Sequence, residues 1–258
     1  MTSTETGARG PRDAQGYGEF AGQGGLAVLS RYPVTGWVDH SETLWRDLPG
    51  ALILESDAGW ETQRLSSNAH WELEIEGPWG PLTLWVFHAT PPVFDGPEDR
   101  NGRRNHDEAA FWLRRLDLAP PQGAFVLLGD ANLDPLDGDG RPEAILALLD
   151  HPLLQDVEPR SDAGAVMAKA EGGANLTHRG DPTLDTANWA DDGNRTGNLR
   201  VDYVLPSRHW RADAAGIAWT RLDGDAEGAP RHGLVWVDLV PGGAAQGLDR
   251  ISRAEVGK

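Results

Sequence analysis

Apolar runs closed by Gly, Pro, Asn or Asp recur along the chain, and their period sets the elements they predict. "HWELEIEG" at 70–77 alternates apolar and polar positions with period two, the pattern of a strand with one buried face. "LTLWVFHA" (82–89), "AFVLLG" (124–129), "RVDYVL" (200–205), "GIAWT" (216–220) and "LVWVDL" (234–239) predict further strands, several apolar enough to be buried on both faces. "GLAVLS" (25–30) predicts one more, ended by Arg31-Tyr32-Pro33. Two stretches carry helical spacing instead. In "NHDEAAFWLRRLD", Ala109, Trp112, Leu113 and Leu116 fall on one face, and Asn105 with Glu108 offers a capping box. In "RPEAILALLD", Pro142 sits near the first turn and Ile145, Leu146 and Leu149 form the apolar face. Residues 160–199, rich in Gly, Asn, Asp and Thr, predict one long surface excursion. Many short strands with few helices predict an α+β protein, sheet on sheet with helices outside. The expected layout is a lead-in over 1–16, one domain over 17–240 and a tail over 241–258.

Composition narrows the function classes. An apolar fraction of 39% with 11 tryptophans supports a globular core, and 32 glycines with 18 prolines imply many loops. The formal charge of −17 argues against a broad, sequence-independent grip on nucleic acid, which needs clustered Lys and Arg. It leaves room for a small phosphate substrate held by a metal and a few local arginines. The absence of cysteine removes disulfides and thiolate metal sites. No apolar run approaches the ~20 residues of a membrane span. The opening "MTSTETGARG" is polar, without the apolar centre of a signal peptide.

Candidate chemistry gathers at predicted strand ends. "FVLLGDANLDPLDGDG" (125–140) runs from a buried strand into five acidic or amide positions. It is not an EF-hand, because Pro135 and Arg141 stand where that loop needs glycine and glutamate. Asp134, Asp137 and Asp139 read as a solvated acidic turn. Asp130 and Asn132 lie at the strand's end, where both can point into one cleft. The carboxylate could take a proton from water or position a metal, and the amide could hold a phosphoryl oxygen; an ordinary Asp-x-Asn turn is the alternative. His88 also ends a strand, before "ATPP", where a histidine is commonly a surface or hydrogen-bonded core residue. Asp202 lies within an apolar strand, where an unpaired carboxylate is costly. Its obvious partner is His232, either as a structural pair or as an imidazole held in one tautomer for chemistry at phosphorus.

In chain order, "GGLAVLSRYPV", "WVFHATPP", "VLLGDANLDP", "RVDYVLPS" and "RHGLVWVDL" resemble the endonuclease/exonuclease/phosphatase superfamily of metal-dependent phosphoesterases. "DAQGYGEFAGQGGLAVLSRYPV" and "TPPVFDGPEDRNGRRNHDE" are similar to a bacterial, often exported branch of it. The resemblance implies a four-layer αββα sandwich of the deoxyribonuclease-like type, with a cleft at one end of the sheets. It gives Asp130 the attacking water, Asn132 a phosphate oxygen, His232 held by Asp202 the pentavalent phosphorane, and His88 the leaving oxygen. It implies magnesium or manganese, with Asp130 as a possible ligand, and a phosphomono- or diester substrate, either a small ester or a nucleic acid. Arg103 and Arg104, with Arg100 beside them, are the candidates for a second phosphate, or else a solvated basic turn. An extracellular or periplasmic location follows from the branch.

Two departures qualify the resemblance. Family members carry an asparagine and a metal-binding glutamate on strands before the first matched segment; this chain is expected to lack both, and its first sheet to lack strands. The family's closing Ser-Asp-His reads Pro230-Arg231-His232, a cation where an anion is usual, which weakens metal binding on charge grounds. The expected function is therefore a divalent-metal-dependent phosphoesterase. The alternatives are a truncated or degenerate member acting as a binding module, and an acidic protein without enzymatic activity.

Overall fold

The alternating segment and its apolar neighbour form an antiparallel pair, β2 (Ala69–Gly77) and β3 (Gly80–His88), joined by a two-residue turn. Gly80 takes φ +93° to close that turn. The computed structural model describes residues 20, 23–189, 196–219 and 230–242. β1 (Val34–Asp39) runs antiparallel along β2. β3 pairs in parallel with β4 (Phe125–Asp130), a pairing that needs a crossover, and α1 (Arg100–Leu118) supplies it. β7 (Asp202–Pro206) pairs antiparallel with β4 and completes a five-stranded sheet of order β1-β2-β3-β4-β7. α2 (Glu143–Leu149) packs on α1. α3 (Asp162–Glu171) precedes the two-stranded sheet of β5 (Ala187–Trp189) and β6 (Gly197–Leu199). β8 (Trp210–Ala218) and β9 (Leu234–Pro241) form another, with β9 against β7. The fold is α+β.

Alternation decides which residues make the core. Trp85 and Phe87 of β3, Phe125 and Leu127 of β4, and Tyr203 and Leu205 of β7 face α1 and meet Ala109, Trp112 and Leu116. Trp112 stacks on Trp85 with centroids 5.0 Å apart, and His70 also stacks on Trp112, at 5.5 Å. Burial pushes the His70 pKa down to about 4, so this imidazole is a neutral core group. It therefore donates through Nε2 to the Glu108 carbonyl.

The first half of α1 is polar yet buried, and it fastens the surrounding loops. Arg103 forms a two-point pair with Asp57 and donates to the Leu52 carbonyl at 2.6 Å. Arg104 donates to the carbonyls of Arg64, Leu65 and Ser66. Asn105 donates to those of Thr90 and Ala131, both at 2.7 Å. Asp107 accepts from Trp45 Nε1 and the Leu52 N–H. Glu108 accepts from the N–H groups of Ser67 and Thr90, and burial pushes its pKa up against those bonds and Arg104.

Several expectations are corrected by this arrangement. Asn105 and Glu108 are not a capping box: α1 begins at Arg100, five residues earlier, and both side chains reach other loops. Residues 25–30 form no strand, because among the described residues nothing pairs with them, and Leu29 is 93% exposed. The first strand is instead Val34–Asp39, beyond Pro33. α2 buries Ala144, Ile145 and Leu148 and leaves Leu146 exposed. The excursion at 160–199 holds α3, β5 and β6. Asp134 is buried and accepts the N–H groups of Leu136, Asp137 and Arg200, so it organises its turn instead of being solvated. The strand expected over 216–220 runs from Trp210 to Ala218, and residue 220 lies outside the described residues. The lead-in over 1–16 and the tail from 243 onward also lie outside them, while the described domain continues through Pro241.

Replacing Asn105 by alanine removes its hydrogen bonds to two loop carbonyls, those of Thr90 and Ala131. Each loss costs on the order of 1–3 kcal/mol, so Asn105→Ala should destabilise the protein by about 2–4 kcal/mol. Urea unfolding measures this, and a loss under about 0.5 kcal/mol would mean that the bond pair carries no weight.

Candidate functional site

Strand register brings the sequence candidates together. His88 is opposite Asp130 in the β3–β4 pairing, and Asp130 is opposite Asp202 in the β4–β7 pairing, so the three lie in a row across the sheet's end. Phe87 and Tyr203 face the helix side, so by alternation this row faces away from α1. Gly129, just before Asp130, has φ +150°, and a Cβ there would fall 1.9 Å from the Phe87 carbonyl oxygen. Only glycine permits that approach of β4 to β3.

His232 enters from a different part of the chain. β5 grips its segment: the Gly233 N–H donates to the Thr186 carbonyl at 2.7 Å, and the Asn188 N–H to the Arg231 carbonyl at 2.9 Å. His232 Nδ1 lies 2.9 Å from Asp202 Oδ2. A carboxylate only accepts, so Nδ1 carries the proton. Thr186 supports the pair, donating its hydroxyl to Asp202 Oδ2 and accepting the N–H groups of Val201 and Asp202.

Asn132 closes the turn after β4 with φ +48°. Its N–H donates to Asp130 Oδ1 at 2.7 Å. Its Nδ2 donates to the Ala89 carbonyl at 2.9 Å and to Asp130 Oδ2 at 3.2 Å. Both amide hydrogens are thus engaged locally, and a phosphate oxygen would have to displace the longer bond to be held there.

His88 Nε2 is 3.4 Å from Asp130 Oδ2. Its Nδ1 is 3.1 Å from Nδ2 of Asn68, a group that also donates to the Gly24 carbonyl. The carbonyl accepts only, which fixes the amide's orientation and makes His88 Nδ1 an acceptor. The proton therefore sits on Nε2, directed toward Asp130.

The charges of the row are set by its environment. Burial and the adjacent Asp202 push the Asp130 pKa up to about 7, against the opposing His232 and the Asn132 N–H. Burial resists charging of His232, but the Asp202 hydrogen bond and charge, with Asp130 behind them, hold its pKa above the usual value despite Arg231. Burial and the charge of His232 hold His88 below its usual value, with Asp202 pulling the other way. The two imidazoles are driven in opposite directions.

Ligand atoms of Asp130, Asp202 and His232 all lie within 4.8 Å of one another. Two neighbouring carboxylates, one of which resists ionisation through burial and the charge of the other, fit a divalent cation, and their hard oxygens suit magnesium or manganese. A cavity of about 790 Å³ opens over the row, lined by His88, Asp130, Asn132 and His232 together with Arg231. Arg103 and Arg104 do not reach it: both are buried, the first on Asp57 and the second on three loop carbonyls, so the substrate role expected of them is corrected. Arg100 donates to the Ala58 carbonyl and Gln63, also away from the cavity. Asn68, Thr186 and Trp189 were not singled out from the sequence. Trp189 stands edge-on to His232 at 5.6 Å. No local pattern marks these residues, since each acts through a partner distant in sequence.

The fold and this row define a deoxyribonuclease-like α+β protein with a candidate divalent-metal centre at the end of its main sheet. The model of the Endonuclease/Exonuclease/phosphatase family matches residues 3–225, and the chain belongs to that family, whose members are metal-dependent phosphoesterases and nucleases. Among solved structures it is similar to an endonuclease/exonuclease/phosphatase from Beutenbergia cavernae, at 19% identity and a TM-score of 0.50, over 83% of this chain and 47% of that one. It is also similar to the human Nocturnin catalytic domain with bound sulfate, at 15% identity and a TM-score of 0.46, over 82% of this chain and 61% of that one. A third is the 3′ phosphatase NExo from Neisseria bound to a product DNA hairpin, at 15% identity and a TM-score of 0.42, over 82% of this chain and 73% of that one. The chain spans about half the length of the Beutenbergia protein. No curated protein matches the sequence. Among the described residues, no helix is long and apolar enough to cross a membrane.

The Asn68 contact has a spectroscopic consequence. Long-range proton–nitrogen NMR near pH 8, with His88 assigned by comparison with His88→Gln, should show the Nε2–H tautomer. Asn68→Leu should remove that preference. An Nδ1–H tautomer in the unmodified protein would refute the assignment.

Proposed function

We propose that this chain hydrolyses phosphomono- or diester bonds with a divalent metal ion, magnesium or manganese. What supports the reading is a single arrangement: His88, Asp130 and Asp202 in register at one sheet end, His232 bonded to Asp202, and His88, Asp130 and His232 lining one cavity. A divalent ion held by Asp130 and Asp202 would neutralise charge on the phosphoryl group. The remaining chemistry belongs to the side chains. Asp130, at the end of β4 and lining the cavity, is the carboxylate placed to accept a proton from water. The water oxygen bonds to phosphorus as the ester P–O bond breaks. The departing oxygen needs a proton, and His232, held above its usual pKa, is the better source. His88, neutral with Nε2–H toward the row, can hold a phosphoryl oxygen as a hydrogen-bond donor. These two roles are the reverse of those the family resemblance implied. Proton return through solvent restores Asp130 and His232.

Two measurements test the reading. Below its pKa of about 7, Asp130 keeps a proton that a bound cation must displace. Calorimetry in buffers of different ionisation enthalpy should therefore find more proton release on manganese binding near pH 6 than near pH 8.5. Asp130→Asn should abolish the difference. Hydrolysis of bis(p-nitrophenyl) phosphate with manganese should fall about 10²- to 10⁴-fold in Asp130→Asn and in His232→Gln. Turnover unchanged in both variants would sink the proposal, and metal binding without any turnover would leave a binding module.

A further inference from the structure

The cavity is lined by two chemically different sets of side chains. His88, Asp130 and His232 supply the carboxylate and imidazoles, and Phe94, Trp189, Leu199 and Val201 are among those that supply an apolar wall. A phosphoryl group is strongly hydrated and gains nothing from such a wall, so the wall must serve the organic part of an ester. Phe94 is the most telling member. It is 89% exposed and its backbone sits at φ +69°, the left-handed region that a phenylalanine adopts only at a cost. Nothing in the fold's core requires a ring held there. Trp189 presents a second aromatic surface in the same cavity, beside His232. Aromatic rings recognise flat rings by offset or edge contacts.

Size and charge restrict the ester further. About 790 Å³ accommodates a compact molecule. Arg231 is the one Lys or Arg among the described lining residues, in a chain of net charge −17. That suffices for the charge of one phosphoryl group and is far short of the row of cations that follows a polynucleotide backbone. We infer that the cleft selects small phosphoesters bearing a planar aromatic group, with Phe94 and Trp189 against the ring and Arg231 on the phosphoryl oxygens. This rests on the phosphoesterase reading for the turnover but not for the binding.

The test separates the two. Calorimetry on the manganese-loaded protein compares phenylphosphonate with methylphosphonate, neither of which is hydrolysed. Rates compare bis(p-nitrophenyl) phosphate with methyl p-nitrophenyl phosphate, which share a leaving group and differ only in the other arm. The phenyl and aryl compounds should be preferred about tenfold, the size of one or two aromatic contacts, with the rate difference appearing mainly in KM. Phe94→Ala should reduce both preferences to about threefold or less. Because Phe94 is exposed, this variant decides the matter, whereas Trp189→Ala also removes packing against Ala187, Leu199 and Val201. Equal affinity for the two phosphonates, or a preference untouched by Phe94→Ala, overturns the inference even where hydrolysis is robust. A Phe94-dependent preference in binding with no hydrolysis of either ester sustains it and defeats the phosphoesterase reading. Displacement of phenylphosphonate by a single-stranded oligonucleotide at lower concentration than by p-nitrophenyl phosphate also overturns it, in favour of a strand-binding cleft.

Discussion

The loops that carry Asn68, His88 and Asn132 hang on buried hydrogen bonds from the first half of α1. Arg103, Arg104, Asn105, Asp107 and Glu108 are all buried, and each bonds to a loop group. The anchored points sit next to the chemistry. Ser66 and Ser67 precede Asn68, Thr90 follows His88 by two residues, and Ala131 lies between Asp130 and Asn132. A buried polar group that loses its partner is costly, so these bonds favour one arrangement of the loops over others. They cost the helix a hydrophobic stripe along that length and confer positional definition where a cleft needs it.

The row itself is built against its own electrostatics. Asp130 and Asp202 face each other across a strand pair, and burial leaves Asp130 unwilling to ionise without a cation nearby. The fold answers that repulsion with His232 on one carboxylate and N–H donors on the other. Arg231 adds positive charge at the rim, where the family pattern has an aspartate. Its side chain suits an anion better than a metal ion. The proposed chemistry is that of the family's members; the aromatic wall is a feature of this chain's own residues.

Period and turn residues settled the local structure without help from tertiary contacts. The strands at 70–77, 82–89, 124–129 and 234–239 and the helix beginning at Glu143 form where periodicity places them, because one buried face demands alternation and one buried stripe demands helical spacing. Gly129-Asp130-x-Asn132 was legible for a related reason: strand end, glycine approach and Asx turn are all encoded within four residues. Tertiary structure decided everything that depends on a distant partner. Residues 25–30 have a strand's composition but no pairing partner among the described residues, and a ladder needs two strands. Arg103 and Arg104 have the composition of a phosphate site, yet Asp57 and three loop carbonyls claim them first. Asn68 and Thr186 orient the two histidines from 20 and 46 residues away, and no local pattern carries that information. A sequence states what each side chain can do, while burial and competition among partners, which only the folded chain creates, determine what each is left free to do.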